Sequence, residues 1–402
     1  MLLNSRNLGV AGVLLPAIFT FLVVATPAWA QTESVLYNFC SVGDLCADGA
    51  YPIAPLTSDG TGNFYGTTHS GGQSGTYGAV FELSPNGKGG WNETVLHSFT
   101  LGSDGAYPVF SPVVFDSAGN LYGTTEDGGA GYGVVFELSP FEKSWAEKAI
   151  YTFKNSGDGG SPQSGVTVDA SGNLFGVTPS GGPGNSATVF ELSPSGSTWT
   201  EQVIYTFDNS DIIAPSGLAI DSRGNIFGAA NLTVFELSPD GTGGWNPTTL
   251  HVFPDQGLGI EGTPVLDNTG SLYGTIMYEQ SNGVLGQGEV YRLREEDGRW
   301  ELLTLHTWAA GDGPYAGVTL DAAGHIYGTT TGGGSNGLGT VFELVAANNN
   351  AKAYRAKVLW NFNGPDGSMP ICSPTLDNSG KLYGTTDAGG SIGYGTVFEV
   401  TP

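Results

Sequence analysis

The sequence predicts an all-β protein, a seven-bladed β-propeller with four antiparallel strands in each blade. Three observations lead to this fold class. One sequence unit occurs seven times, each unit holds four short runs of aromatic and β-branched residues between turn residues, and the two chain ends each carry part of a unit. The seven units fill residues 31–402 and leave no room for a second domain. We therefore expect a single propeller domain over 31–402.

The repeat is clearest from residue 111 onward. Strand A ends at Asp116, strand B runs over 120–125, strand C over 135–138, and strand D ends at Phe153. An aromatic residue followed by glycine marks strand B in every copy; these aromatic residues are Tyr65, Tyr122, Phe175, Phe227, Tyr273, Tyr327 and Tyr383. Neighbouring copies lie between 46 (273 − 227) and 57 (122 − 65) residues apart. This is the length of a four-stranded propeller blade.

The chain ends predict how the ring closes. The last copy stops after its strand C at 397–400, whereas the run 34–39 near the start reads like strand D at 95–99. We expect the N-terminal run to pair with the last blade as its missing outer strand. A ring closed in this way keeps only short, protected sheet edges.

Residues 1–30 read as a secretory signal peptide. Arg6 precedes an apolar run from about Leu8 to Val24, and Ala28 and Ala30 supply the small residues that a signal peptidase requires. We expect a secreted or periplasmic protein whose mature chain begins near Gln31. The apolar run is long for a signal, so an uncleaved membrane anchor is the alternative. No later run is comparable, and we expect no membrane association after cleavage.

The charge balance excludes several partners. Asp and Glu number 38 against 13 Lys and Arg, which gives a formal net charge of −25. Nucleic acids and anionic membrane surfaces bind through clustered basic residues, so neither is expected as a partner.

Three cysteines, Cys40, Cys46 and Cys372, allow one disulfide in an exported protein. We expect the Cys40–Cys46 pair, which flanks a loop. Pairing of Cys46 with Cys372 is the alternative. If Cys40 pairs with Cys46, Cys372 is left as a free thiol. No Cys-x-x-Cys or Cys/His cluster indicates zinc.

The repeated motif consists of Gly-Asn-Leu-Tyr-Gly-Thr-Thr, as at 119–125, a Gly-rich stretch, and Thr-Val-Phe-Glu-Leu, as at 340–344. It resembles the Gloeo-Verruco repeats, also called choice-of-anchor tandem repeat proteins. The resemblance covers essentially all of 34–402. It implies a secreted or surface-associated repeat protein, in a family without an established biochemical role. Members often continue into a C-terminal anchoring segment, and the resemblance here does not cover one.

Antiparallel strands place the A–B and C–D turns on one face of the disc and the B–C and D–A loops on the other. We call the second the loop face and expect a carbohydrate or protein ligand there. The candidate binding residues are the D–A loop carboxylates and three B–C loop tyrosines: Asp48, Asp104, Asp158, Asp312, Asp366, Tyr77, Tyr132 and Tyr394. Such carboxylates bond sugar hydroxyls or a cation such as calcium. The alternative is that Asp-Gly pairs serve only as turn residues. No other cofactor is expected.

Enzyme motifs are absent from the sequence, and no catalytic residue is predicted. A catalytic site would break the sevenfold repetition, as the fifth copy does at 277–280. Glu279 together with Glu126 or Asp127 would suit a glycosidase or a lyase. Three functions therefore stay open: a monomeric binding or interaction scaffold, which we favour, a polysaccharide-active enzyme, and a structural surface or adhesin component.

Overall fold

The computed structural model describes residues 31–43, 45–73, 75–208, 217–230, 232–254, 257–259, 262–279, 285–346 and 354–402. The predicted signal segment 1–30 lies outside these residues. Gln31–Pro402 form one compact unit. In the part of the chain that the structure describes, no helix is long and apolar enough to cross a membrane.

The strands form seven separate sheets arranged as blades, which confirms the predicted seven-bladed, all-β propeller. The first strand, β1, is Thr32–Asn38. Blade 1 holds β2 (Thr57–Ser58), β3 (Phe64–Thr68), β4 (Ala79–Pro85) and β5 (Trp91–Ser98). Blade 2 holds β6 (Val114–Phe115), β7 (Leu121–Thr125), β8 (Val134–Phe141) and β9 (Ser144–Thr152). Blade 3 holds β10 (Thr167–Val168), β11 (Leu174–Thr178), the 3-10 turn Pro183–Asn185, β12 (Thr188–Ser195) and β13 (Thr198–Thr206).

The remaining blades follow the same order from inner to outer strand. Blade 4 holds β14 (Ala219–Ile220), β15 (Ile226–Ala230), β16 (Thr233–Pro239) and β17 (Trp245–Val252). Blade 5 holds β18 (Gly257–Gly259), β19 (Val265–Leu266), β20 (Leu272–Glu279), β21 (Leu285–Glu296) and β22 (Arg299–Thr307). Blade 6 holds β23 (Thr319–Leu320), β24 (Ile326–Thr330), β25 (Thr340–Ala346) and β26 (Tyr354–Asn361). Blade 7 holds β27 (Thr375–Leu376), β28 (Leu382–Thr386) and β29 (Thr396–Thr401), with β1 as its outer strand.

The ring closes as the chain ends predict. Strand β1 pairs antiparallel with β29, from Thr32 opposite Thr401 to Asn38 opposite Thr396. The N-terminal strand therefore completes the blade that the C-terminal strand begins.

Blade 5 departs from the four-strand pattern. Its strand B, β20, has eight residues instead of five and pairs beyond its usual end with β18, as Gly259 opposite Met277. Five of the other copies, all except blade 4, reach a Gly-Gly pair soon after this point, which turns the chain away, whereas blade 5 has Met277-Tyr278-Glu279. β-forming residues in place of glycines extend the strand.

The glycine of the aromatic–glycine step is required by packing. The ring of the strand C phenylalanine lies over it, so that a Cβ on Gly66 would come 2.6 Å from Cζ of Phe81, and one on Gly123 would come 2.5 Å from Cζ of Phe136. This contact recurs in all seven blades, with Tyr291 in place of phenylalanine in blade 5.

Aromatic side chains fill the spaces between blades. The aromatic residue after each outer strand packs against the strand C ring of the next blade; it is Trp308 in blade 5 and phenylalanine in the other blades. Phe99, for example, meets Phe136 edge-on at 5.2 Å between ring centroids. The tryptophan at the start of strand D packs on the strand B aromatic of the preceding blade, as Trp145 does on Tyr65 at 6.2 Å. Each blade is therefore held through apolar contacts with its two neighbours.

Threonine hydroxyls add polar bonds between blades. The first threonine of the strand B pair donates to a carbonyl at the inner strand of the next blade, as Thr67 does to Ser111 at 3.0 Å and Thr329 to Cys372 at 2.9 Å. Thr385 of blade 7 donates to Ala54 of blade 1 at 3.2 Å. The same bond therefore crosses the closure of the ring.

The A–B turns are tight hairpins capped by their aspartate. Oδ1 of Asp116 accepts the backbone N–H groups of Ala118 and Asn120 at 2.8 and 2.9 Å, and Gly119 takes a φ of 87°. These bonds lower the pKa of the Asp116 carboxyl, against the effect of its burial.

Candidate functional site

A cavity of about 810 Å³ runs along the propeller axis. Every blade contributes to its wall through the segment at its inner strand; one lining residue from each blade in order is Ile53, Phe110, Gln163, Gly217, Thr263, Tyr315 and Ile371. Most of the wall is apolar, and polar side chains such as Gln163, Thr263 and Ser373 interrupt it. This is the usual composition of a small-molecule site.

The cavity extends from one face of the disc toward the other. The chain enters each inner strand from a D–A loop, so residues such as Ile53 and Phe110 lie at the loop-face end. Asp321 and Asp377, which belong to A–B turns, line the opposite end. We call the loop-face opening the channel mouth.

In blades 1, 2 and 7 the residue directly after the end of strand B bonds the segment that leads to the inner strand; we call this the rim position. It holds His69 in blade 1, Glu126 in blade 2 and Asp387 in blade 7. The backbone N–H of each bonds the carbonyl of the residue that leads toward the inner strand, His69 to Tyr51 at 2.9 Å, for example. The rim position of blade 3 is Pro179 and that of blade 6 is Thr331, so the ionisable groups occupy one sector.

The three ionisable rim residues come from adjacent blades, since blade 7 neighbours blade 1. Nδ1 of His69 lies 2.9 Å from Oγ of Ser70, and the imidazole stacks on the ring of Tyr107 with centroids 5.3 Å apart. Gln163, which lines the cavity, donates from Nε2 to Oε1 of Glu126 at 2.7 Å. The cluster therefore adjoins the cavity.

Burial dominates the electrostatics of this sector. It lowers the pKa of His69, against the opposing charges of Glu126 and Asp387, and so favours the neutral imidazole. Burial also raises the pKa of Asp387, against the influence of His69. Among the described residues, no group donates a hydrogen bond to the Asp387 carboxylate. A neutral imidazole and carboxylates in this arrangement are able to exchange protons with a ligand, to bond hydroxyls, or to bind a cation.

A buried hydroxyl without a partner lies behind the cavity wall. Ser164 is 5% exposed and follows Gln163, and its Oγ finds no hydrogen-bond partner in the described structure. An unpaired polar atom at this depth is costly unless a ligand or water bonds it.

Four tyrosines surround the same sector of the loop face. The rings of Tyr51 and Tyr394 meet at 5.5 Å and those of Tyr77 and Tyr107 at 5.8 Å. Tyr51 and Tyr107 hold φ values of 57° and 56°, which bulky residues seldom adopt. Phe110 in the cavity wall has a φ of 44°. The residues equivalent to Tyr51 and Tyr107 in blades 3 and 7, Ser161 and Met369, have φ values of 52° and 55°, so this conformation belongs to the repeat.

Of the tyrosines singled out in the sequence, Tyr77 and Tyr394 lie in this aromatic group. Tyr132 is 38% exposed in the B–C loop of blade 2, where its carbonyl accepts the N–H of Ser161 at 2.8 Å.

The D–A aspartates lie beside the outer strands, and none of them lines the channel cavity. Asp48 is 2% exposed and accepts the hydroxyl of Tyr37 and the backbone N–H of Ser41, both at 2.8 Å. The same role recurs with His97 donating to Asp104 at 3.2 Å, Tyr151 to Asp158 at 2.9 Å, and Trp360 to Asp366 at 3.0 Å. Asp312 is half-buried, and its backbone N–H bonds the carbonyl of Ala309. In these positions the bonded carboxylates organise their own loops.

Four of these aspartates also face a glutamate of the next blade. The pairs are Glu33 with Asp366, Glu93 with Asp48, Glu147 with Asp104, and Glu201 with Asp158. Burial, followed by the aspartate charge, raises the pKa of Glu93 to about 8 and those of the other three glutamates to about 7. Oε1 of each glutamate is buried without a hydrogen-bond partner in the described structure.

The cysteines take separate places. Cys40 and Cys46 are joined by a disulfide in the loop after β1. Cys372 is buried and free, and its Sγ lies 2.7 Å from Oγ1 of Thr385, behind the channel wall to which Cys372 contributes.

No group of three His, Cys, Asp or Glu side chains in the described ranges is arranged to hold a metal ion. The carboxylate pair predicted for a glycosidase or lyase includes Glu279, the last residue of β20, whose side chain lies outside the described part of the structure. Glu126 and Asp127 are half-buried at the start of the B–C loop of blade 2.

The sequence analysis did not identify the group of ionisable rim residues His69, Glu126 and Asp387. His69 and Glu126 were each visible as loop residues, but Asp387 was not singled out, and nothing in the sequence brings residues 69 and 387 together before the ring is closed. Comparing the residue that follows strand B in every copy would have found them, because ionisable residues occupy this position in three adjacent copies.

The fold and the axial cavity place this chain in the class of β-propeller repeat proteins. A family model for the Gloeobacter/Verrucomicrobia repeat matches residues 22–235 and 259–402, so the chain belongs to that repeat family. No curated protein matches the sequence.

Several solved structures share the fold. A catalytically inactive virginiamycin B lyase from Staphylococcus aureus, solved with quinupristin, has a TM-score of 0.58 at 15% identity, over 92% of this chain and 99% of that chain. A putative 6-phosphogluconolactonase from Bacteroides uniformis has a TM-score of 0.53 at 14% identity, over 80% of this chain and 87% of that chain. A protein from Lactobacillus plantarum has a TM-score of 0.52 at 12% identity, over 77% and 84%. At these identities the likeness concerns the fold alone.

Proposed function

We propose that this protein is an exported, non-catalytic binding module that takes a carbohydrate at its channel mouth. The observation that carries the proposal is the axial cavity of about 810 Å³, whose wall residue Gln163 bonds the rim carboxylate of Glu126. Two pairs of tyrosine rings and the imidazole of His69 lie in the loops of the same sector. Sugar rings pack their C–H faces on aromatic rings, while their hydroxyls bond carboxylates, amides and hydroxyls. The channel mouth offers both kinds of contact within one sector.

The net charge of the protein limits the class of carbohydrate that it can bind. With a net charge of −25, the protein repels polyanionic glycans such as sulfated or uronate-rich chains. Neutral or cationic oligosaccharides meet no such barrier. The apolar wall of the cavity suits a ligand with few charges.

Export is part of the proposal and is supported by three features. The apolar leader at 1–30 has the layout of a secretory signal, the Cys40–Cys46 disulfide fits an oxidising compartment, and the domain is acidic and rich in glycine.

Binding is tested by titrating the purified protein with a panel of neutral and charged oligosaccharides in a calorimeter. We expect binding of at least one class that weakens about tenfold or more in Tyr107→Ala, because this ring stacks on His69 and faces Tyr77. Phe141→Ala is the matched control, since Phe141 is a 61% exposed aromatic in a C–D turn on the opposite face. Absence of heat with every sugar, or equal losses in the two variants, would refute the proposal.

An enzyme acting on polysaccharides is the second candidate, and one observation favours it. The imidazole of His69 feels the charges of Glu126 and Asp387 from the two adjacent blades, and a catalytic site in a repeat protein needs such an asymmetry. Release of new reducing ends or unsaturated products from a polysaccharide, abolished in His69→Ala with binding retained, would establish it in place of the binding module.

A further inference from the structure

We propose that the loop face has a docking surface for a partner protein whose binding segment combines apolar side chains with lysines or arginines. We call this surface the apolar arc. Its loops, from blades 7, 1 and 2, are 39–50, 69–78, 99–106, 126–133 and 387–395. Its exposed apolar side chains are those of Ile392, Val42, Leu45, Leu101 and Tyr132. The partner is a second ligand beside the carbohydrate of the channel mouth, and neither proposal depends on the other.

Exposed apolar side chains are concentrated on the loop face. Among the described residues, ten large apolar side chains are exposed, and seven of them lie in loops of this face. The other three, Phe141, Val252 and Val358, lie in three different blades. Single exposed apolar residues are normal on a protein surface, whereas a group of them marks an interaction site.

Contacts between neighbouring loops make the arc continuous. In the B–C loop of blade 7, the residue before Ile392 is Ser391, whose N–H bonds Oδ1 of Asn38 at 2.8 Å. Asn38 ends β1 and leads into the loop that contains Leu45. That leucine in turn lies beside the B–C loop of blade 1, because a Cβ on Gly75 would come 3.3 Å from its Cδ1.

The loop that contains Leu101 is bonded on both sides. Gln73, in the B–C loop of blade 1, donates its N–H to Oγ of Ser98 at 2.9 Å. Gly102, next to Leu101, accepts the N–H of Gly129 at 2.8 Å. This last bond reaches the B–C loop of blade 2, which contains the exposed tyrosine of the arc. The five loops therefore form one surface.

The most exposed part of the arc is a lengthened loop. The segment 39–51 spans 12 positions (51 − 39), whereas its counterpart 99–107 in the next copy spans 8 (107 − 99). The Cys40–Cys46 disulfide closes the longer loop, and Leu45 and Val42 within it are 66% and 51% exposed. The additional residues add no apolar burial to the core, so a role in binding accounts for them.

Hydrogen bonds hold this loop in one shape. Oδ1 of Asp48 accepts the N–H of Val42 at 3.2 Å, and Oδ2 accepts the N–H of Ser41 at 2.8 Å. The carbonyl of Val42 accepts the N–H of Ala47 at 2.9 Å. A surface that is ordered before binding loses little conformational entropy when a partner docks.

The charges of the same loops indicate the kind of partner. In the part of these loops that the structure describes there is no lysine or arginine, and the imidazole of His69 is the one basic group. The carboxylates of these loops are those of Asp48, Asp104, Glu126, Asp127 and Asp387. A partner with lysines or arginines beside its apolar side chains is therefore attracted to the arc.

Other occupants fit the arc less well. A second copy of this chain and an anionic membrane both have the same sign of charge as the loops, and each would be repelled. Sugars pack on flat aromatic rings, whereas four of the five side chains of the arc are branched aliphatic groups. Apolar contact bordered by opposite charges is the composition of a protein interface.

The experiment selects peptides from a displayed library of short random sequences, with the purified, disulfide-bonded protein as the target. We expect the enriched peptides to combine apolar residues with a net positive charge. Synthetic copies of them are then titrated by fluorescence anisotropy. The double variant Val42→Ser/Leu45→Ser should bind them about tenfold or more weakly, because two apolar side chains no longer become buried. Binding should also weaken as the ionic strength rises.

Phe141→Ser is the matched control, because it removes an exposed apolar side chain from the opposite face. It should bind the peptides as the parent protein does. The substituted side chains are all exposed, so both variants should melt at the temperature of the parent. This result separates a loss of binding from a loss of folding.

The possible outcomes are distinct. Absence of enriched peptides, enrichment of peptides without a net positive charge, or equal binding to the double variant would overturn the docking surface. A dimer in sedimentation that is lost in the double variant would place a second copy at the arc, and loss of sugar binding in that variant would make the arc part of the carbohydrate site. Either result overturns the proposal. If the peptides bind and no sugar does, the carbohydrate proposal alone fails.

Discussion

Replacing Tyr291 by phenylalanine should stabilise the protein. Tyr291 is the strand C residue of blade 5, at the position where the other six blades have phenylalanine. Its side chain is fully buried, and its hydroxyl finds no hydrogen-bond partner in the described structure. Burial raises the pKa of this phenol, in keeping with an apolar setting. The hydroxyl therefore lost its bonds to water on folding and gained none in return.

The magnitude follows from two opposing effects. An unpaired buried hydroxyl costs about 1–3 kcal/mol. Removing the oxygen sacrifices a few dispersion contacts of about 0.1–0.2 kcal/mol each, including those with Gly274 beneath the ring. The net gain should be about 1–2 kcal/mol. For a domain spanning 31–402, the entropy of unfolding is about 0.8 kcal/mol/K, so the melting temperature should rise by about 1–3 °C.

The assay is equilibrium unfolding in urea, with calorimetry for the melting temperature. Phe342→Tyr provides the reverse change at the equivalent, fully buried position of blade 6 and should destabilise the protein by a similar amount. A loss of stability in Tyr291→Phe would refute the reasoning, because it would mean that the hydroxyl is bonded.

Three further predictions concern packing, ring closure and pH. Gly123→Ala should cost about 3 kcal/mol or more, because its Cβ would press on Phe136; a near-neutral melt would contradict the contact. Thr385→Val should cost about 1 kcal/mol by removing the bond to Ala54 across the closure together with the contact to Sγ of Cys372, and no change in urea unfolding would count against these bonds. Burial and a neighbouring carboxylate raise the pKa of Glu93 from 4.5 to about 8. The stability that comes with the protonated carboxyl of Glu93 is fully present below about pH 4.5 and is lost as the pH rises through 8. Glu93→Gln should therefore stabilise the protein at pH 9, where the buried carboxyl is ionised, and not at pH 4. Equal effects at both pH values would disprove this.

The repeat could be predicted because each copy obeys local rules. The aspartate and glycine of the A–B turn specify a hairpin in any blade, and the alternation in strand C specifies which residues face the core. The fifth strand of blade 5 was not predicted. It depends on the pairing of Gly257–Gly259 with residues about twenty positions further on, and no local signal marks that pairing.

The candidate site was harder to predict for the same reason. The D–A aspartates recur in sequence, and recurrence alone does not tell an aspartate facing the axis from one facing the outer strand. Asp104 and Asp158 turn toward the outer strand because His97 and Tyr151 offer donors there. The ionisable rim residues were not recognised, because most copies carry other residue types at the rim position.

The sequence by itself determined seven blades, the strand order within each, and the closure of the ring by its first strand, since all of these follow from turns, alternation and copies of a single unit. Only the tertiary structure decided which residues of different blades come together on the loop face. His69 and Asp387 are 318 positions apart (387 − 69) and become neighbours when the last blade closes on the first. A repeat specifies each blade through short-range contacts, whereas a site at the centre of the ring is assembled from single residues of different blades, whose proximity exists only after closure.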